Sequence, residues 1–380
     1  MNDTINIFIS GDFAPIYRVL DLIESGKYEL IYNDILPFIK NADIAITNLE
    51  VPLIESGTAI QKTGPNLKAP VKSVEALKYA GFNMVTLANN HIMDYGWDGL
   101  KSTMTVCEKH DIEYVGVGEN LNEAIKIKYI NHQGYVLAFI NAAENEWSTT
   151  DGDEAGANPL NEINQYYQIA EAKKNADFVI LIMHGGHETY DLPSPRMKKL
   201  YRYFIDLGAD AVVGHHTHCF SGHEVYHGKP IFYSLGNFVF DSEKFRNNSD
   251  WNKGCAVLLK LKKNVADFDL IPFYQCNEKA GVSLFNEDDK ITFLKDAESK
   301  TIIIQHDTLL AENFKKFVHR QSRMYLSFLE PIKNKYILAA MNRGILARLI
   351  NSKQKRLLLN LIKAEAHRDI LINLLNDKKL

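Results

Sequence analysis

Six of the 13 histidines fall at His184, His187, His215, His216, His218 and His223, and the polar residues best able to ligate or move protons directly follow apolar runs. Asp12 follows INIFISG, Asn48 and Glu50 follow IAIT, and Asn89, Asn90 and His91 follow MVTLA; His184 follows FVILIM, His215 follows AVVG, and Asn237 follows FYSLG. Imidazole suits zinc, iron and manganese, whereas carboxylate and amide oxygens suit harder cations. The mixture predicts a transition-metal site with oxygen ligands. A hydrogen-bonded polar network without metal is the alternative. Within Gly214-His-His-Thr-His218, residues two apart in an extended segment share a face, so His216 and His218 address one centre while His215 faces away. Taken singly, Asp12 reads as well as a turn cap, Glu50 as a surface carboxylate, and Asn89 and Asn90 as turn residues. Repetition at six strand ends is what argues for a site.

Apolar runs from Ile5 to Ser10, Ile44 to Thr47, Met84 to Leu87, Tyr114 to Val117, Val136 to Ile140, Phe178 to Met183, Ala211 to Gly214 and Ile231 to Ser234 predict strands, several buried on both faces. Between them, Val71 to Ala80, Gly99 to His110, Asn161 to Lys174 and Arg196 to Leu207 read as helices. This is a layered α/β domain, and in open α/β sheets ligands bind outside the carboxyl ends of the strands. Ala256 to Lys262 and Phe268 to Pro272 follow each other without a helix between them, which predicts antiparallel pairing at that edge.

The 380 residues are expected to divide into an α/β domain, 1–305, and a basic helical C-terminal region, 306–380. The second part carries 15 Lys and Arg against 6 Asp and Glu, although the whole chain has a net charge of -4. Its apolar residues recur at helical spacing: Leu326, Leu329 and Ile332; Ile345, Leu346 and Leu349; Leu357, Leu358, Leu361 and Ile362. They predict helices packed on the first domain, or a cationic face for anionic membrane or polymer. The overall charge excludes a globally basic nucleic-acid binder. Cys107, Cys219, Cys255 and Cys276 form no C-x-x-C pair and read as separately buried thiols. No apolar run reaches the ~18–20 residues of a spanning helix, and the start lacks a secretory layout; a cytoplasmic protein is expected, with peripheral contact at the inner face of the membrane through the tail. No G-x-x-x-x-G-K-[ST] loop is present, which disfavours ATP-driven ligation.

Gly11-Asp12, Asn48-Leu-Glu50, Lys68-Ala-Pro70, VEALKYAGFNMVTLANNHIMDYG from Val74 to Gly96, His184-Gly-Gly186, GHHTH from Gly214 to His218 and SLGNFVFD from Ser234 to Asp241 resemble the capsule synthesis protein CapA family, over roughly residues 5–245. That family is named for poly-γ-glutamate capsule production and is similar in fold to calcineurin-like metallophosphoesterases. The resemblance implies mixed β-sheets flanked by helices, one or two divalent ions (Mn, Fe or Zn), and a phosphoesterase-type hydrolase site for an anionic polymer or phosphoester. It implies Asp12 as a ligand of one metal, Glu50 as the bridge, Asn90, His184 and His216 at the second metal, and His218 returning to the first. It makes His91 the proton donor to the leaving group, with Asp94 placed to orient its ring. The D-x-H motif of active metallophosphoesterases is broken by Ala14, so the first metal is expected to be weak, absent, or completed by a residue such as His187. A non-catalytic, polyanion-holding component of polymer assembly is the alternative function.

Overall fold

The continuous apolar runs resolve into two faces once the strands are assembled. In strand Ile5–Ala14, Ile5, Ile7 and Ile9 pack into a core between two sheets, while Phe8 points to the opposite side. In strand Phe178–His184, Phe178, Ile180 and Ile182 join the same central core, while Val179, Leu181 and Met183 face outward into another. Side chains alternate with a period of two, so a strand covered on both faces needs apolar residues at every position.

The structure is a computed structural model; it describes residues 4–376 apart from 247–249, 263–264, 330–333, 335, 338–339, 341–342, 344 and 346–350. One sheet runs in the order Val282–Leu284, Val265–Gln275, Lys253–Lys262, Ile5–Ala14, Ile44–Leu49, Met84–Thr86 and Glu113–Val115, with Asn237–Phe240 also paired in parallel to Ile5–Ala14. The other runs His223–Tyr226, Lys229–Phe232, Ala211–His215, Phe178–His184, Tyr135–Ala143 and Lys128–His132. The layered α/β arrangement of mixed sheets flanked by helices is therefore as expected. Lys253–Lys262 and Val265–Gln275 pair antiparallel, also as expected.

Helices Ser73–Ala80 and Gly96–Lys109 cover the outer face of the first sheet. Helices Glu162–Asn175 and Pro195–Asp206 cover the second, and their core is shared by Leu310, Phe314, Phe317 and Val318 of helix Asp307–Leu329, by Leu361 of helix Ser352–Lys363, and by Ile370 and Leu374 of helix Glu365–Asn376. Of the apolar residues expected to form the tail's stripe, Leu361 is buried, but Ile345 and Ile362 are 72% and 64% exposed. Ile332, Leu346 and Leu349 lie outside the described residues, as do the side chains of Leu326 and Leu329. All four cysteines are free and buried, and burial pushes the Cys107 thiol up to about 12. Among the described residues, no helix is long and apolar enough to cross a membrane.

Candidate metal centre

Four strands of the first sheet, Ile5–Ala14, Ile44–Leu49, Met84–Thr86 and Asn237–Phe240, and two of the second, Phe178–His184 and Ala211–His215, deliver the site, at the edge where the two sheets meet. Asp12 is aligned with Asn48 on one neighbouring strand and with Asn237 on the other, so one register places three polar residues side by side. Glycine makes this approach feasible. A Cβ on Gly11 would stand 1.9 Å from the Gly236 carbonyl oxygen, and one on Gly214 would stand 2.1 Å from that of Tyr233.

From the first sheet, Asn48 acts as a hub. Its Nδ2 donates to Asp12 Oδ1 at 2.7 Å and lies 3.2 Å from His184 Nδ1; its Oδ1 accepts from Thr86 Oγ1 at 3.3 Å and from Asn89 Nδ2 at 3.2 Å. From the second sheet, His184 Nε2 reaches Asn90 Oδ1 at 3.0 Å, His216 Nδ1 at 3.1 Å and Glu50 Oε1 at 3.5 Å. Two nitrogens bound tetrahedrally to one ion at ~2.0–2.1 Å would themselves be about 3.3 Å apart. That is the spacing of ligands around a common centre.

Ligand atoms of Glu50, His184 and His216 all lie within 4.8 Å of one another, and so do those of Asp12, Glu50 and His218. Glu50 belongs to both groups. It is fully buried, and neither carboxylate oxygen has a hydrogen-bond partner. Burial, reinforced by the charges of Asp12 and Glu188, pushes its pKa well above the usual carboxylate range. Asp12 responds in the opposite sense. Burial opposes its ionisation, but the close approach and positive potential of His215, helped by His184 and His218, hold its carboxyl well below that range. Burial, then the neighbouring His216, keeps His184 well below the ordinary histidine value, and burial likewise lowers His218. Neutral imidazoles retain a lone pair for an ion.

The expectation that His215 faces away is overturned. The strand ends at His215, and His216 and His218 take φ of 93° and 57°, so the two-residue alternation of an extended chain does not continue. His215 Nδ1 instead lies 3.4 Å from Asp12 Oδ1, with both ring nitrogens buried and without hydrogen-bond partners. His187, the residue expected to make good the donor absent at Ala14, turns the other way. Its ring packs edge-on against Phe314 and Phe317 of the C-terminal helices, and its Nε2 stands 4.0 Å from Asp369.

His91 Nδ1 and Asp94 Oδ2 are 2.7 Å apart, and Asp94 Oδ2 also accepts from the Leu67 backbone N–H at 2.6 Å. Sequence reasoning missed Lys62. Its side chain is 2% exposed, its ammonium pairs with Asp94 Oδ1, and it donates to the Asn90 carbonyl at 3.4 Å. Lys62 sits in an irregular segment between Glu50 and helix Ser73–Ala80, where no periodicity marks an inward side chain.

The family model of bacterial capsule synthesis protein PGA_cap matches residues 6–242 of this chain. A capsule biosynthesis protein CapA of Bacillus anthracis is 35% identical over 281 residues, covering 71% of this chain and 67% of that protein. The PGA biosynthesis protein CapA of Bacillus subtilis (strain 168) is 32% identical over 276 residues, covering 71% and 72%. Among solved structures, a phosphatase from Mycoplasma pneumoniae aligns with a TM-score of 0.46 at 16% identity, over 73% of this chain and 96% of that one.

Proposed function

The chain belongs to the bacterial capsule synthesis protein PGA_cap family, and we propose that it serves capsule or surface-polymer biosynthesis as a metal-dependent hydrolase of the phosphoester type. The observation that carries this reading is Glu50: a carboxyl group with both oxygens buried and without a hydrogen bond, common to both ligand groups. Such a group costs free energy unless a cation takes its lone pairs.

The donors fit a divalent ion. Asn90, His184, His216 and Glu50 would hold one; Asp12, His218 and Glu50 would hold another, which Ala14 leaves with one imidazole fewer and beside which His215 stands. The mixed nitrogen and oxygen donors suit Mn, Fe or Zn. When bound, such ions lower the pKa of water toward neutrality and stabilise charge developing on the oxygens of an in-line displacement.

The chain's own residues supply the remaining chemistry. Asp94, itself held by the Lys62 ammonium, accepts from His91 Nδ1, leaving Nε2 to carry a proton to the departing oxygen. Asn48 and Asn89 fix the ligand loops without charge. Relatives named for capsule and PGA biosynthesis support an anionic polymer or phosphoester as substrate. We place the catalytic part in 1–305 and assign 306–380 to packing over the second sheet, with its basic excess available to anionic membrane or polymer.

The test is elemental analysis of purified protein together with Mn-dependent hydrolysis of 4-nitrophenyl phosphate and bis(4-nitrophenyl) phosphate. Bound metal with turnover of either supports the proposal. Bound metal with turnover of neither favours the second reading, a non-catalytic holder of polyanions, for which the donor missing at Ala14 speaks.

A further inference from the structure

His184 is the last residue of strand Phe178–His184, so the backbone that follows it has left the sheet and needs partners elsewhere. Glu144 supplies two of them. Its backbone N–H donates to the His184 carbonyl at 2.9 Å, and its Oε2 accepts from the Gly186 N–H at 3.2 Å. Between these two bonds its side chain lies against Gly185, where a Cβ would stand 2.5 Å from Glu144 Cγ. Glu144 thereby grips the ligand-bearing turn on both sides of Gly185.

Glu144 is itself held from further along the chain. At 6% exposure its carboxylate needs a cation, and Arg196 Nη2 meets Oε1 at 2.5 Å. The same guanidinium turns its Nε to Asp369, at 2.9 and 2.7 Å from the two carboxylate oxygens, and Ser194 Oγ donates to Asp369 Oδ2 at 3.3 Å. One turn earlier in helix Glu365–Asn376, on the same face, Glu365 accepts from the Asn145 backbone N–H at 2.9 Å and from Asn145 Nδ2 at 2.6 Å. Glu365 and Asp369 both lie beyond residues 6–242, the segment that the family model matches.

We propose that Glu144, Arg196 and Asp369 are positioning residues for His184: helix Glu365–Asn376, acting through the Arg196 fork and the Glu144 carboxylate, sets where the turn after His184 lies and so where its ring meets the metal centre. The proposal rests on the metal-centre reading for what His184 binds, and on the geometry alone for what holds His184. The type of link favours this role over simple attachment of the tail. A guanidinium presents five N–H donors in a rigid plane, so fixing its Nε on Asp369 also fixes the direction of the Nη2 that meets Glu144. Simple attachment is seen elsewhere on the same helix. Lys198 Nζ donates to Asp307 Oδ1 at 2.6 Å, and that pair stands outside the chain of bonds ending at Gly186.

The experiment measures the Mn affinity of the full-length protein, from the electron paramagnetic resonance signal of free Mn, for the parent, Arg196→Gln, Asp369→Ala and Lys198→Met. Arg196→Gln and Asp369→Ala should bind Mn about tenfold more weakly, the lower end of the ~10–100-fold that loss of an outer partner of a ligating histidine costs. Lys198→Met should keep the parent's affinity, whatever it costs in melting temperature. Parent-like affinity in the first two variants overturns the proposal and leaves the metal centre intact. An equal loss in Lys198→Met also overturns it, because the effect then belongs to attachment of the tail in general. Should Arg196→Gln fail to fold, Asp369→Ala decides alone on the same terms. If the parent binds no Mn, the metal-centre reading falls, and positioning is decided on the metal-free protein by the exchange rate of the Gly186 amide. Faster exchange in Asp369→Ala than in the parent and Lys198→Met supports it, and equal rates overturn it.

Discussion

His184 Nε2 stands 3.1 Å from His216 Nδ1, although His184 ends one strand and His216 follows the end of another, and neither ring is turned to solvent. Two buried imidazoles facing nitrogen to nitrogen can share at most one proton, whereas a common cation takes a lone pair from each. Substitution of His216 by alanine should therefore remove most bound metal from the Asn90 half of the site. Inductively coupled plasma analysis of the variant and the parent decides this; equal content refutes the ligand assignment.

His91→Asn should keep its metal and lose turnover by about 10²–10⁴-fold on substrates with poor leaving groups, the usual worth of a positioned general acid. The loss should shrink as the leaving group improves. Metal content measured on the same sample separates proton donation from ligation, since loss of metal would make His91 a ligand.

Lys62→Met leaves Asp94 buried without its cation. Removing one partner of a buried ion pair typically costs about 3–5 kcal/mol, and urea denaturation of the metal-free protein should show a loss of that order. Catalysis should fall with it, because the carboxylate that holds His91 loses its other anchor.

Metal-free protein should lose stability on acidification through His187. Burial, against the favourable charge of Glu144, brings its pKa from the ordinary 6.5 down to about 4. Between these values the unfolded chain binds the proton and the folded chain does not. Stability is therefore fully kept above pH ~6.5 and falls toward pH ~4, at up to about 1.4 kcal/mol per pH unit. His187→Gln should flatten the dependence of melting temperature on pH in that window, and an unchanged slope would show that His187 contributes nothing.

Deletion after Gln305 should yield an aggregating product. It removes Leu310, Phe314, Phe317, Val318, Leu361, Ile370 and Leu374 from the core over the second sheet and strips Tyr190 of the Phe314 and Phe317 rings packed on it. A monomeric, metal-binding fragment in size-exclusion chromatography would show instead that the tail is dispensable for folding. In the intact protein, vesicle association that weakens with added salt would identify the basic excess as a binding face.

The central strands of both sheets, the antiparallel edge of Lys253–Lys262 and Val265–Gln275, and most of the ligand candidates were legible in the sequence, whereas the strands Lys128–His132, His223–Tyr226, Asn237–Phe240 and Val282–Leu284 were not. Apolar runs with polar residues at their ends are a local signal: a strand buried on both faces can carry a charged or amide side chain only where the sheet stops. Asp12, Glu50, Asn90, His184, His216 and His218 all lie just beyond such runs, while their selection as ligands came from the family resemblance. Three features needed the tertiary structure. His215 joins Asp12 because the chain leaves the extended conformation at His216, and a positive φ in a non-glycine residue is set by what surrounds it. Lys62 reaches Asp94 from an irregular loop whose path is fixed by packing and not by periodicity. Tyr325 and His367 meet His187 and Glu146 around one cavity only because the C-terminal helices fold back over the second sheet, and an approach across 221 positions, from Glu146 to His367, has no local signature.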